Sequence, residues 1–243
     1  MSAEARLRLF QLVSPALPVG AFSYSEGLEV LLQSGRLSGP EPLQAWLRAE
    51  LRGGAVALET AALAPLQACL RRWRDAGAAA AAAGAVAALH DLDGWLLAQR
   101  EAPELRAQQR QMGQSLLQLL AELGFPLPAT PSAPVLTPAS ELPGPLAWPA
   151  AFAWAALSLQ LDSPAVEEAY LYGWVANQIS AAVRLVPLGP TQGQRLQLAL
   201  APLIAERAAA LALADPRRLW SSGVGAGLAQ LGHAELYSRL FRS

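Results

Sequence analysis

The chain has 243 residues, of which 53% are apolar, and it carries a formal net charge of −1. The apolar content excludes general disorder, and the charge gives no support to non-specific nucleic-acid binding, which needs a basic surface. All 18 basic residues are arginine. A P-loop lysine, a Schiff-base lysine and a lysine general base are therefore excluded.

Helical spacing of apolar residues dominates the chain, and the alternation typical of strands is nearly absent. We therefore predict an all-α fold, a single helical bundle of about eight to nine helices that spans residues 1–243. Prolines, glycines and capping residues set the expected ends. In chain order, the predicted helices cover residues 4–13, 25–34, 38–52, 56–75, 78–100, 103–123, 149–161, 164–186 and 191–214.

The segment PALPVGAFS separates the first two predicted helices. Pro15 and Pro18 fix φ, so this backbone must be extended or turning. Ser23 or Ser25 is the candidate N-cap of the second helix. A rigid loop that feeds a helix suits a protein-binding edge, and the alternative is a tight connector between two helices.

Cys69 is the only cysteine, which excludes an intramolecular disulfide. Its apolar surroundings predict a small buried side chain and not a reactive thiol. A lone reduced thiol, with no signal-peptide core at the N-terminus, predicts a cytoplasmic protein. Residues 142–161 carry no formal charge, but their prolines leave a helix too short to cross a bilayer, so we predict no membrane span.

Two segments are predicted to lie outside the regular helices. Residues 124–149 are rich in proline and are expected to form a loop on the surface. Residues 221–243 are interrupted by glycines and then become amphipathic, and we predict that they form a mobile tail.

Few side chains suit metal binding or phosphate binding. His90 could supply metal ligands together with Asp91 and Asp93, but a polar cluster on a helix surface explains this group better. His233 has no partner at ligand spacing and is expected to contact a partner or to face solvent, so it is only a weak metal-ligand candidate. The glycines of GVGAGL, from Gly223, lack the preceding strand of a dinucleotide-binding loop.

The remaining charged groups read as helix-surface residues. These are the carboxylate pairs Glu167–Glu168 and Glu101–Glu104, and the run Arg71-Arg72-Arg74, for which a site for an acidic partner is the alternative. This polar inventory suits binding and not catalysis. We predict no catalytic residue and no cofactor.

Four segments resemble the UreF family of urease accessory proteins. They are LFQLVSPALPVGAFSYSEGLE (9–29), LLAQREAPELRAQQRQMGQSLLQLL (96–120), YLYGWVANQISAAVRLVPLGPTQGQRL (170–196) and YSRLFRS (237–243). They follow the family's order over almost the whole chain. The chain departs from the family's RHE at Gly232-His233-Ala234, which keeps only the histidine, so the polar contacts of that Arg and Glu are not expected here. Residues 124–149 match no motif.

The resemblance implies an all-α, non-catalytic scaffold that forms a homodimer and binds the accessory protein UreD, called UreH in some species. It also implies that the scaffold recruits the GTPase UreG and supports nickel insertion into the urease apoprotein. The family has been regarded as modulating GTP hydrolysis by UreG. A direct nickel-binding metallochaperone, with His233 pairs across a dimer, is the alternative. A helical enzyme with an organic cofactor is a third reading, but no fitting constellation is visible.

The residues predicted to bind partners lie in the first and last of these segments. They are Pro18, Gly20, Phe22, Tyr24, Gly27, Tyr237, Ser238, Arg239, Leu240, Phe241 and Arg242. The aromatic and leucine side chains of the tail are expected to enter an apolar pocket of the partner, and its arginines to bond carboxylates. Arg239 either acts as an arginine finger or supports the dimer and the UreG-docking surface.

Asn177 and Gln178 lie on one predicted helix in the third segment. They are either buried amides satisfied by neighbouring backbone or polar groups that line a water-filled passage.

Overall fold

A computed structural model describes residues 1–76, 80–129, 144–185 and 188–242. Within these ranges the chain contains ten α-helices and no strand, which confirms the predicted all-α class. The helices are α1 (Ala3–Leu12), α2 (Leu28–Gln33), α3 (Pro40–Gly53), α4 (Ala55–Ala76), α5 (Ala80–Ala98), α6 (Pro103–Glu122), α7 (Trp148–Ser158), α8 (Ala165–Leu185), α9 (Pro190–Leu211) and α10 (Val224–Leu231). Short 3-10 helices lie at Ala21–Ser23, Pro216–Arg218 and Gly232–Glu235.

Helix α4 forms the centre of the bundle. It packs against α3, α5, α7, α8 and α9, and its leucines Leu63, Leu66 and Leu70 are fully buried. Each buried leucine stabilises the fold by about 1.5–3 kcal/mol relative to an exposed one. Cys69 is buried on the same helix, as its apolar surroundings predicted.

Helix α7 is buried on every face. Its residues Pro149–Leu157 are all inaccessible, and many are alanines that allow close packing with α4 and α6. The apolar stretch that raised the question of a membrane span is thus a core helix of 11 residues. In the described part of the chain, Pro40–Ala76 is also long and apolar enough to cross a membrane, but 72% of its apolar window is buried inside the bundle.

Helices α6 and α7 approach closely because Gly113 has no side chain. A Cβ at Gly113 would collide with the carbonyl oxygen of Leu146, just before α7 begins. The carboxylate of Asp93, from α5, accepts the Ala147 N–H at 3.1 Å and so satisfies a free donor at the start of α7. Asp93 is buried, which corrects its expected surface position, whereas Asp91 is exposed as predicted.

Three further expectations on the fold need correction. Helix α2 begins at Leu28 and not at Ser25, because Glu26 and Gly27 both adopt left-handed backbone angles with φ of 49° and 84°. Glu167 is completely buried and accepts a hydrogen bond from Ser163, so it is not a surface charge. Residues Val224–Leu231 form helix α10, although the segment 221–243 was expected to lie outside the regular helices. Of the proline-rich segment, residues 130–143 lie outside the described ranges.

Candidate protein-binding site

The loop between α1 and α2 directs one carboxylate into the protein. Gly20 has a φ of 73° and precedes the 3-10 helix Ala21–Ser23, after which the backbone turns again at Glu26. The left-handed conformation of Glu26 is uncommon for a residue with a side chain and indicates a position fixed by its surroundings. The loop is therefore tied to the core and is not a free connector.

Glu26 links the loop to three helical regions. Its carboxylate accepts hydrogen bonds from Trp174 Nε1 on α8, at 3.1 Å, and from Gln108 Nε2 on α6, at 3.4 Å. Arg100, which follows α5, lies 3.6 Å from the same carboxylate. The first and third segments that resemble the UreF family thus meet at this side chain.

Arg100 also pairs with a second buried carboxylate. It donates two hydrogen bonds to Glu59 Oε1 on α4, and Tyr170 Oη donates to Glu59 Oε2 at 2.8 Å. Burial raises the pKa of Glu59, and the Arg100 guanidinium opposes that shift. Removing one partner of such a buried pair leaves an uncompensated charge, so the network stabilises one arrangement of the loop and helices.

The C-terminal tail is docked on α2 through Glu29. This buried carboxylate accepts the backbone N–H groups of Leu240 at 2.7 Å and Phe241 at 3.2 Å. The ring nitrogen Nε2 of His233 lies 3.1 Å from it. The Phe241 ring is buried in the protein's own core, and the Arg242 N–H donates to Ser23 O at 2.9 Å. The first and the last of the four segments that resemble the UreF family therefore form one surface.

Apolar side chains cover the outside of this region. Val224, Leu228 and Leu231 are exposed at helical spacing along one side of α10, while Gly227, Ala229 and Gln230 face inward. Trp220 precedes this helix in the chain and Tyr237 and Leu240 follow it, and all three are exposed as well. We call these six residues the tail surface. Exposed apolar area of this kind is typical of a protein-binding site.

A second apolar area lies between α1, α8 and α9. It is a groove of about 470 Å³ whose lining includes Phe10, Tyr172, Ala201 and Ala205. Phe10 is 61% exposed and Tyr172 is 43% exposed. We call this area the α8–α9 groove.

The structure places the predicted partner-binding residues in different environments. Pro18, Gly20, Tyr237, Ser238, Arg239, Leu240 and Arg242 are exposed, whereas Tyr24, Gly27 and Phe241 are buried. Tyr24 donates to Gln111 Oε1 at 3.0 Å, so its ring offers no open contact area. Phe241 packs against the core of its own chain. Phe22 lies in a 3-10 helix, and its side chain is outside the described part.

The two amides of α8 differ from each other. Gln178 is fully buried, and neither of its amide atoms has a hydrogen-bond partner within the described residues. This corrects the expectation of a buried amide that is satisfied by neighbouring backbone. Asn177 donates to Tyr24 O at 3.5 Å and lines a pocket of about 80 Å³, which is large enough for a few water molecules.

Metal-binding groups are not assembled in the part of the chain that the structure describes, where no three His, Cys, Asp or Glu side chains form a suitable group. His233 is buried against Glu29, which corrects the expectation of a solvent-exposed ring. Sequence reasoning missed Glu26 and Glu29. The only signal was their position in SYSEGLE, where two acidic residues stand directly before an apolar run.

Comparison with known proteins supports the family resemblance. Residues 37–201 match the family model described as UreF. The chain is 39% identical over 237 residues to the urease accessory protein UreF of Trichormus variabilis, a match that covers 98% of this chain and 95% of the relative. It is 40% identical over 243 residues to the UreF of Thermosynechococcus vestitus, covering 99% and 98%. The UreF of Synechocystis is 38% identical over the full length of both chains.

Proposed function

The chain belongs to the UreF family of urease accessory proteins, and from this premise we propose that it is a non-catalytic scaffold for urease maturation in the cytoplasm. In this proposal the protein binds UreD (UreH), and the pair recruits the GTPase UreG. The assembly then supports nickel insertion into the urease apoprotein and modulates GTP hydrolysis by UreG. Nickel is the cargo of the complex and needs no ligand set of this chain.

The observation that carries the proposal is the tail surface. Three apolar residues project from one side of α10, and the adjoining tail is held by backbone hydrogen bonds to Glu29. The tail is anchored through its main chain and through the Phe241 side chain. The side chains of Tyr237 and Leu240 therefore remain free to contact another protein. An exposed aromatic and leucine surface of this type suits the core of a protein–protein interface. We propose that UreD binds to the tail surface.

Arg239 is the second part of the proposed interface. It is exposed and lies between the anchored Leu240 and Ser238, whose carbonyl accepts from Gln33 Nε2 at 3.3 Å. An arginine presented by a fixed backbone can form forked hydrogen bonds with carboxylate or phosphate. We propose that Arg239 supports the surface on which UreG docks; direct insertion as an arginine finger is the alternative.

Self-association is proposed through the α8–α9 groove. Its wall combines the exposed rings of Phe10 and Tyr172 with the small residues Ala201 and Ala205, which allow a second helix to approach closely. A two-fold interface places the same groove of both subunits together, so the aromatic rings of one subunit meet the alanines of the other. This arrangement accounts for the homodimer that the family resemblance implies.

The test is co-purification of the full chain with UreD and UreG, with and without GTP and Mg²⁺, followed by sizing. We expect the wild type to form a complex with UreD and to recruit UreG. Leu228→Glu places a charge in the middle of the tail surface and should abolish UreD binding. Leu213→Glu is the matched control, because Leu213 is 91% exposed but lies outside that surface. Equal binding by both variants would reject the assignment.

A further inference from the structure

Glu50 is a buried carboxylate at the junction of α3 and α10. It lies in the last turn of α3 and is 8% exposed. Its carboxylate occupies the space beside Gly54, where a Cβ would collide with it, and a Cβ at Gly223 would lie 3.3 Å from Glu50 Oε2. Two glycines thus allow the backbone to close over this carboxylate.

The segment that closes over Glu50 is the start of α10. Ser222 donates to the carbonyl oxygen of Gly53 from its backbone N–H, at 2.7 Å, and from its hydroxyl, at 3.1 Å. Gly223 follows as the N-cap residue of α10. Glu50 is therefore covered when α10 is seated on the bundle, and it becomes accessible to water when α10 moves away.

The charges around Glu50 do not neutralise it. Arg100 lines the same small pocket, but its guanidinium already bonds Glu59 and lies beside Glu26. Glu26 and Glu101 bring further negative charge to the pocket. In the described part of the chain, no hydrogen bond from a protein donor to the Glu50 carboxylate is formed.

The C-terminal end of α3 is a further unfavourable surrounding for an ionised Glu50 carboxylate. The negative end of the helix dipole lies at its last turn, where an acidic side chain is unfavourable. Arg207 from α9 reaches this helix end, but its guanidinium donates to the carbonyls of Leu51 and Arg52, each at 3.2 Å. Burial is the main cause that raises the pKa of Glu50 to about 7, opposed by Arg100 and supported by Glu26.

We propose that the seating of α10 over Glu50 is coupled to the uptake of one proton by that carboxylate. Proton uptake removes the buried charge, so α10 is held most firmly when Glu50 is neutral, and it loosens as Glu50 ionises. Because α10 carries the centre of the tail surface, partner binding becomes proton-dependent. That consequence rests on the proposed function, whereas the seating of α10 itself does not.

The sign of the coupling follows from linkage. The seated form binds the proton more tightly than the open form, so seating weakens as pH rises from the ordinary pKa of 4.5 to about 7 and then levels off. Between pH 6 and pH 8 the seating equilibrium should fall by about tenfold, if the open form restores the ordinary pKa.

Hydrogen exchange on the isolated full chain tests the proposal. Protection of the α10 amides, corrected for intrinsic exchange and referenced to α4, is compared at pH 6 and pH 8. The wild type should lose about tenfold protection in α10, whereas Glu50→Gln should show no loss. Glu41→Gln, an exposed glutamate at the other end of α3, should behave like the wild type.

Two results would overturn the proposal: pH-independent protection of α10 in the wild type, or a persisting pH effect in a folded Glu50→Gln variant. If circular dichroism shows that Glu50→Gln does not fold, Glu50→Ala replaces it as the variant without an ionisable group, and pH-independent protection of α10 in the wild type still rejects the proposal. UreD binding measured at pH 6 and pH 8 separates the proton-coupled seating of α10 from the proposed function. A pH effect on α10 without UreD binding would leave the proton coupling intact and reject only the proposed function.

Discussion

The carboxylate of Glu29 accepts a hydrogen bond from the backbone N–H of Leu240 at 2.7 Å, inside the protein. The donor is main chain, so substitution of the Leu240 side chain does not remove it. Replacement of Glu29 does remove the acceptor, and it also affects the N–H of Phe241 and the ring of His233. One side chain of α2 thus holds three groups of the C-terminal region, next to the contacts that Gln33, Ser23 and the buried Phe241 ring provide.

The first prediction concerns this anchor. Glu29→Ala should lower hydrogen-exchange protection of residues 237–242 by at least about tenfold, since each hydrogen bond to a charged group contributes about 1.5–3 kcal/mol. Glu41→Ala serves as the control on an exposed carboxylate. Unchanged protection in Glu29→Ala would show that the tail is held by other contacts.

We also expect the wild-type tail to be more protected with UreD bound, and equal protection with and without UreD would refute the predicted mobility.

The second prediction concerns Arg239. Arg239→Ala should weaken recruitment of UreG by the UreF–UreD pair while leaving the fold intact, because the side chain is exposed and makes no intramolecular ion pair among the described residues. A pull-down with GTP and Mg²⁺ measures recruitment, and circular dichroism checks the fold. Arg218→Ala, an exposed arginine outside the tail, should retain full recruitment. Normal recruitment by Arg239→Ala would exclude both proposed roles of this residue.

The third prediction concerns self-association. Ala201→Arg places a long charged side chain in the α8–α9 groove and should shift the protein towards the monomer. Light scattering coupled to size exclusion measures the mass. Ala199→Arg changes an exposed alanine on the opposite side of α9 and should leave the mass unchanged. A dimer that survives Ala201→Arg would place the interface elsewhere.

The fourth prediction compares two glycines inside helices. Gly113→Ala should lower the free energy of unfolding by about 1–3 kcal/mol, because the new Cβ collides with the backbone at Leu146 and Ala147. Gly84→Ala should instead raise it by about 0.5–1 kcal/mol, since no atom lies within 4 Å and alanine favours the helix. Denaturant unfolding measures both values. An increase in the free energy of unfolding for Gly113→Ala would contradict the close approach of α6 and α7.

The fifth prediction concerns pH and Asp93. Burial is the main cause that raises the pKa of Asp93 to about 6, although the Ala147 N–H and Arg110 oppose it. Its contribution to stability is therefore complete below about pH 4 and is lost as pH rises to about 6. Asp93→Asn cannot ionise, so its stability relative to wild type should improve by up to about 3 kcal/mol from pH 4 to pH 7. Denaturant unfolding at both pH values measures the change.

The exposed neighbour Asp91 supplies the control for this experiment. Its side chain pairs with Arg217 at the surface, where an ion pair contributes little. Asp91→Asn should therefore follow the wild type at both pH values. An unchanged difference between Asp93→Asn and wild type across this pH range would show that Asp93 does not lose a proton there.

Helix positions were predictable because proline and glycine punctuate the chain. Pro103 opens α6 as predicted, and Pro190 starts α9 one residue before the expected Thr191. The class of fold followed from these signals together with the spacing of leucines. The start of α2 was missed, since two successive left-handed residues after Ser25 have no signature beyond a single glycine.

The polar interior could not be predicted in the same way. Glu59 and Arg100 are 41 positions apart, and Glu29 and Phe241 are 212 apart, so no local pattern joins them. Asp93 and Glu167 looked like surface charges because α5 and α8 have weak apolar stripes. Burial of a single carboxylate depends on which neighbour packs over it, and that information is tertiary.

The separation of 211 positions between Glu29 and Leu240 also bears on the order of folding. Closing so long a loop costs less entropy once the intervening helices have packed, so the tail should dock last and detach first. Detachment of the tail then requires far less free energy than unfolding of the bundle. A molecule whose core is incomplete would present no ordered tail, and its partner would therefore select fully folded copies.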